Sequence, residues 1–376
     1  MAHVRLRQST PAFRLRVSHA RPASDRSMTT RARLTLAAAL LTLVAGWLWP
    51  SRAHLLPAST VVRGIVVSDA GTFAAIVERL RAGEPYYVAF GQELRRRDYP
   101  TDRVFNWRTP LQLVALSRVP WAVSRGVLTV LLVVLFAWTM VQTGTRPLLG
   151  RLAGALQLGV LVQLSAQDGV YFGEVWSGVF VCLSLLAYLA GRWGLGVGTA
   201  VAALFVRELA AIYCATAALQ ALAERRWREV GAWFLSGAAY AIYYAWHVLQ
   251  VDAHQIPSDF SQGTRGWIAF GGLPFLQATV HNVGWLKFLP GQLDAAVLAL
   301  IVAGILHNET PLRLRTASLA FAGFFLVVGQ PFNAYWGWMV SPLWALAAAY
   351  GACALLDLAS VQRPVRPPTA TMPRPR

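Results

Sequence analysis

The chain has 376 residues, 56% of them hydrophobic and only 14% charged, with a formal net charge of +17. A soluble domain carries about 25% charge, so a mean hydropathy of +0.46 excludes a soluble enzyme, a disordered chain and a disulfide scaffold. What remains is an all-helical polytopic membrane protein. Lys287 is the single lysine, and the other basic residues are arginines. Residues 1–33 hold eight Arg against Asp25, net +7, and residues 357–376 hold four Arg against Asp357, net +3. Basic tails beside apolar spans read as cytoplasmic anchors, so no nucleic-acid partner is expected. Cys182, Cys214 and Cys353 lie in apolar stretches without metal-ligand spacing and read as packing residues.

In chain order, 1–33 reads as a disordered cytoplasmic tail, followed by a single transmembrane domain over 34–356 and a second disordered tail over 357–376. Leu34 to Trp49 is the first span, or else a signal peptide cleaved near Ser51-Arg52-Ala53; either places the next segment outside the cytoplasm. Residues 50–119 form a long extracytoplasmic loop. Within it Phe73, Val77 and Leu80 recur at i, i+4 and i+7, which predicts a helix stopped by Gly83 and Pro85. A second short helix ends in Arg95-Arg96-Arg97. Both are expected to lie in the membrane interface, apolar face down. Asp69 opens the first of them and suits an N-cap.

Further apolar stretches lie near 121–142, 152–166, 175–190, 194–222, 230–250, 293–307, 316–329 and 336–356. As one helix, 194–222 would reach ~44 Å, beyond a hydrocarbon core of ~30 Å, and Arg207-Glu208 interrupts it. Two short helices meeting at that pair resolve both problems. They also bring Arg146, Arg151, Arg192, Arg225, Arg226, Arg228, Arg313 and Arg315 to the cytoplasmic side. The expected topology is about ten crossings of the plasma membrane with both termini inside.

That topology gathers Asp69, Asp168, Glu174, Arg207, Glu208, Asp252, Arg265, Lys287 and Tyr335 at or near the outer face. Asp168 and Glu174 read either as cavity-lining or metal-holding groups or as a solvated turn followed by a helix-capping carboxylate. Arg207-Glu208 reads as part of a site or as an ion pair locking a helical hairpin, because ionisable residues inside apolar segments are costly and usually paired. In the loop 251–292, Trp267, Phe270, Phe275 and Trp285 read as an interfacial aromatic belt. His247, His254 and His281 lack the spacing of a metal site.

Asp69, the stretch Gly83-Glu84-Pro85-Tyr86-Tyr87, Gly173-Glu174-Val175-Trp176, Val206-Arg207-Glu208-Leu209 and Asn333-Ala334-Tyr335-Trp336-Gly337 come in this order along the chain. In this the chain resembles the GT-C superfamily of integral-membrane glycosyltransferases, which includes polyprenyl-phosphate mannosyl- and arabinosyltransferases. The resemblance implies Asp69 as catalytic base; Glu174, Arg207, Glu208, Asp168, Arg265, Lys287, Tyr87 and Tyr335 are the candidate substrate-binding residues. Arg207, Arg265 and Lys287 are the candidates for the cation at the departing phosphate. It implies the bilayer, a polyprenyl-phosphate sugar and an envelope glycan, lipid or protein acceptor as partners. No cofactor is indicated; a divalent metal is compatible with the reading but has no motif of its own. The alternatives are a transporter or flippase, since broken helices recur at transport sites, and a non-catalytic relative of the transferases.

Overall fold

The computed structural model describes residues 30–48, 60–62, 65–260 and 270–361. They form α1 (Thr30–Leu48), a hairpin of β1 (Thr60–Val62) and β2 (Ile65–Val67), α2 (Asp69–Arg81), α3 (Tyr86–Arg96), α4 (Leu111–Arg118), α5 (Trp121–Thr143), α6 (Pro147–Leu164) and α7 (Gly173–Leu189). Then come α8 (Trp193–Val206), α9 (Ala211–Ala223), α10 (Trp227–His254), α11 (Gly272–Val280), α12 (Asp294–Leu306), α13 (Leu312–Val327) and α14 (Gly337–Val361). The hairpin is antiparallel, with Val61 opposite Val66. Proline sets many of the starts: Pro85, Pro110, Pro120 and Pro311 precede α3, α4, α5 and α13, and Pro147 opens α6. The amide that proline lacks would have no helical partner at such a position, and its fixed φ suits the first turn.

Among the described residues three helices are long and apolar enough to cross a membrane: Trp121–Thr143, Pro147–Leu164 and Phe332–Ala359. Shorter apolar helices accompany them, among them α7, α8 and the segment Glu208–Ala223. The outward faces carry large apolar side chains, with Val141 on α5, Leu41 on α1 and Phe234 and Ile242 on α10 each at least 70% exposed. Exposed apolar area on that scale marks a lipid or partner surface.

The 194–222 stretch is two helices. α8 ends at Val206, Arg207 is extended (φ −148, ψ 118), and a 3-10 turn over Glu208–Ala210 leads into α9. The Ala203 carbonyl at the broken end accepts from the Arg207 amide at 2.9 Å and from Ser177 Oγ at 3.2 Å, so the interruption leaves that group satisfied inside the bundle. Elsewhere small residues let backbones touch. A Cβ on Gly304 or Gly351 would run into the Ala347 or Leu300 carbonyl where α12 crosses α14. A Cβ on Gly178 of α7 would stand 2.6 Å from the Met339 carbonyl of α14. Close crossings of this kind give membrane helices their packing energy, because lipid offers no hydrophobic drive between them.

Two expectations are corrected. The apolar face of α2 does not lie on lipid: Ile76 and Val77 are fully buried and Phe73 nearly so. That face packs on protein, against α3, α4 and the 167–171 turn. Likewise the interval 251–292 is not simply a loop with an aromatic belt. It contains α11, whose Phe275 is buried against Phe325 and Trp336, while Phe270 is exposed and Trp267 lies outside the described residues.

Candidate functional site

The site starts from the beginning of α2. Ser68, extended at φ −142, is the N-cap, and its Oγ accepts from the Gly71 amide at 3.1 Å. Asp69 therefore occupies the first helical position and not the cap expected for it. Its carboxylate turns elsewhere: Oδ1 accepts from the Tyr99 hydroxyl at 2.6 Å. Burial and the adjacent Asp69 carboxylate hold the Tyr99 phenol well above its ordinary range, which keeps it a donor.

Beside this pair lies Arg108, in the link between Trp107 and α4. The Tyr86 hydroxyl donates to its carbonyl at 2.7 Å, and its guanidinium sits 5.6 Å from the Phe73 ring centroid, a cation–π distance. Arg108 Nη2 donates to the Tyr335 hydroxyl at 2.9 Å and lies 3.2 Å from Glu174 Oε1. The same Glu174 oxygen accepts from Arg207 Nε at 2.7 Å. Arg207 also pairs with Glu208, and Glu208 stands 4.0 Å from Arg108 Nη1. Glu174 and Arg207 are 0% and 1% exposed. Ions taken that far from water cost several kcal/mol each, on the order estimated for real proteins, unless paired. The cluster therefore stands only as a unit.

Asp69, Tyr99, Arg108, Phe73, Asn333 and Tyr335 line a cavity of about 120 Å³. A cavity of roughly 150 Å³ takes one benzene ring, so this space is somewhat smaller than that. Phe105, Phe332 and Arg103 also border it and are each more than half exposed. The arrangement offers a carboxylate with one oxygen held, a fixed guanidinium, and aromatic rings at the rim.

Of the residues expected here, Asp69 and Tyr335 meet in the cavity, and Glu174, Arg207 and Glu208 join them through Arg108. Three others are elsewhere. Tyr87 bonds His247 Nδ1 at 2.9 Å in the contact of α3 with α10. Asp168 is exposed in the 167–171 turn. Lys287, an exposed residue, stands 5.6 Å over the Trp338 ring, with its pKa lowered by desolvation, and it does not line the cavity. Arg265 lies outside the described residues. Sequence reasoning did not single out Arg108 or Tyr99. Among the described residues no three His, Cys, Asp or Glu side chains come together as metal ligands would.

Comparison with protein families, with characterised proteins and with solved structures finds no match to this chain.

Proposed function

We propose that the protein is an integral-membrane glycosyltransferase of GT-C-like architecture. It moves a sugar from a polyprenyl-phosphate donor to an acceptor hydroxyl at the outer face of the plasma membrane, with inversion. The observation that carries this reading is the meeting of Asp69 and Arg108 in one cavity. Asp69 takes the proton of the acceptor hydroxyl as that oxygen attacks the anomeric carbon. The bond from that carbon to the phosphate oxygen breaks, and its electron pair leaves with the phosphate. Arg108 faces the charge that grows there, which is where a fixed cation lowers the barrier. Phosphate leaves without being protonated by the protein, so one carboxylate is sufficient, unlike the pair that glycosidases use.

About ten crossings with both termini cytoplasmic fit the arrangement of the ends. The cavity lies where α7 and α14 begin and α8 stops. The basic connections meet one another at the other end: Arg313 Nη2 is 3.0 Å from Glu229, and Arg146 Nη1 is 2.7 Å from Glu309. Basic connections of this kind belong on the cytoplasmic side.

The test is transfer by the purified protein from a panel of synthetic polyprenyl-phosphate hexoses and pentoses to short envelope-type acceptors. Wild type is expected to use at least one pair, and Asp69→Asn to lose on the order of 10²–10⁴ in rate, the usual worth of a general base. Undiminished transfer by Asp69→Asn removes Asp69 from the mechanism. The helix break at a buried ion pair favours the second reading, transport of a lipid-linked or small polar molecule. Protein-dependent flux across vesicles without transfer selects it.

A further inference from the structure

We infer that Glu174 and Arg207 act as positioning residues, holding the Arg108 guanidinium in place at the wall of the cavity. The inference rests on the reading of Arg108 as the group that meets the donor phosphate. It adds that a buried pair outside the cavity decides whether Arg108 is in place.

The two edges of the Arg108 guanidinium are treated differently. Nη2 is occupied, bonded to Tyr335 and paired with Glu174. Nη1 is buried and makes no hydrogen bond among the described residues. Its charged neighbour Glu208, at 4.0 Å, is beyond hydrogen-bond reach. Arg108 as a residue lines the cavity, and arginine's planar fork suits phosphate in particular.

Glu174 in turn has little freedom. It sits in the first turn of α7, just after Gly173, where a Cβ would stand 3.3 Å from the Val206 carbonyl at the end of α8. Arg207, the next residue along, bonds Glu174 through Nε and does not line the cavity. The end of α8 thus fixes the carboxylate, and the carboxylate fixes Arg108. An arginine side chain loses much rotational freedom when it grips a ligand, and a site that has already imposed this order binds more tightly.

A purely structural role, in which Glu174–Arg207 only fastens α7 to α8, is distinguished by a double-mutant cycle. The readout is binding of farnesyl phosphate to the detergent-purified full chain. Wild type is expected to bind, R108A to weaken binding about tenfold or more, and E174Q to weaken it by a comparable or smaller factor. If Glu174 acts through Arg108, R108A/E174Q binds no worse than R108A. Multiplication of the two effects in the double variant overturns the relay and leaves the reading of the cavity standing. Should E174Q not fold, E174Q/R207Q takes its place, since removing one charge of each sign keeps the net charge of the cluster.

A second measurement needs no ligand. In a structure of E174Q or of E174Q/R207Q the Arg108 guanidinium is expected to have left the Tyr335 hydroxyl. A guanidinium still bonded there overturns the relay. A wild-type protein that does not bind farnesyl phosphate, or an R108A that binds it undiminished, overturns the assignment of Arg108 and the positioning role with it.

Discussion

The Tyr99 hydroxyl donates to Asp69 Oδ1 at 2.6 Å across 30 residues of chain. With Ser68 taking the cap of α2, the Asp69 carboxylate is not used to cap its own helix. Tyr99 holds one oxygen, and Oδ2 makes no hydrogen bond among the described residues. A base that must point one lone pair at a substrate hydroxyl is served by such a one-sided anchor.

Tyr99→Phe removes that anchor and keeps the ring. Hydrogen bonds to a charged group are worth about 1.5–3 kcal/mol, so transfer is expected to fall about tenfold or more with the thermal midpoint little changed. Turnover by Tyr99→Phe equal to wild type shows that Asp69 needs no such anchor.

Ser68→Ala and Asp69→Asn separate stability from chemistry at adjacent positions. Loss of an N-cap costs about 1 kcal/mol, so Ser68→Ala is expected to unfold more easily while retaining transfer. Asp69→Asn is expected to do the reverse, giving up only a modest helix-dipole contribution. Unfolding of both proteins in the same detergent, beside their transfer rates, provides the comparison.

Asp259 gives a pH dependence. It accepts from Arg95 Nε at 2.9 Å, Arg95 Nη2 at 2.6 Å and the Ile256 amide at 3.0 Å. The bond to Arg95 leads the causes that hold its carboxyl down at about 2, below an unfolded value near ~3.9. Because the folded value is the lower one, the stabilisation is present above about pH 4 and is lost as the pH falls toward 2. The thermal midpoint of wild type should drop across that window by more than that of Asp259→Asn. Parallel curves for the two proteins would deny the pair any such role.

The crossing of α12 and α14 gives a steric prediction. Gly351→Ala places a methyl against the Leu300 carbonyl, whereas a Cβ at Gly198 meets nothing within 4 Å. Overpacking costs about 1–3 kcal/mol, so Gly351→Ala is expected to lower the thermal midpoint while Gly198→Ala leaves it unchanged or raises it. Size-exclusion profiles after heating report both.

The sequence made some of this legible and hid the rest for physical reasons. The break in 194–222 was readable because a 29-residue apolar run interrupted by Arg207-Glu208 conflicts with bilayer thickness. Glu174 and Tyr335 stood out because charge and phenol are rare beside apolar runs. Arg108 and Tyr99 did not, since each lies in a polar stretch with many arginines and no period, and only the fold brings them to Asp69. The sole local cue for Arg108 was its place between a tryptophan and a proline-led helix start. The apolar stripe of α2 was visible, but a stripe states only that something apolar covers it. Whether lipid or protein does so depends on α4 and the 167–171 turn, remote in sequence. The cap falls one residue before Asp69, a difference the sequence does not reveal because serine and aspartate are adjacent and both suit the position.

The glycine crossing also bears on the frame around the cavity. Where carbonyl meets Cα at Gly304 and Gly351, no layer of side chains remains to shear. α14 cannot slide past α12 without breaking backbone contact. Asn333 and Tyr335, on the 331–336 turn that runs straight into α14, inherit that rigidity. The opposite wall is made by residues 99–108, where the Trp107 Nε1 bond to the Thr101 carbonyl at 3.0 Å and the Tyr86 bond to Arg108 fasten the ends. Between those fastenings Arg103 and Phe105 face outward. The 103–106 stretch thus forms an exposed part of the cavity rim, with Arg103 and Phe105 bordering the opening.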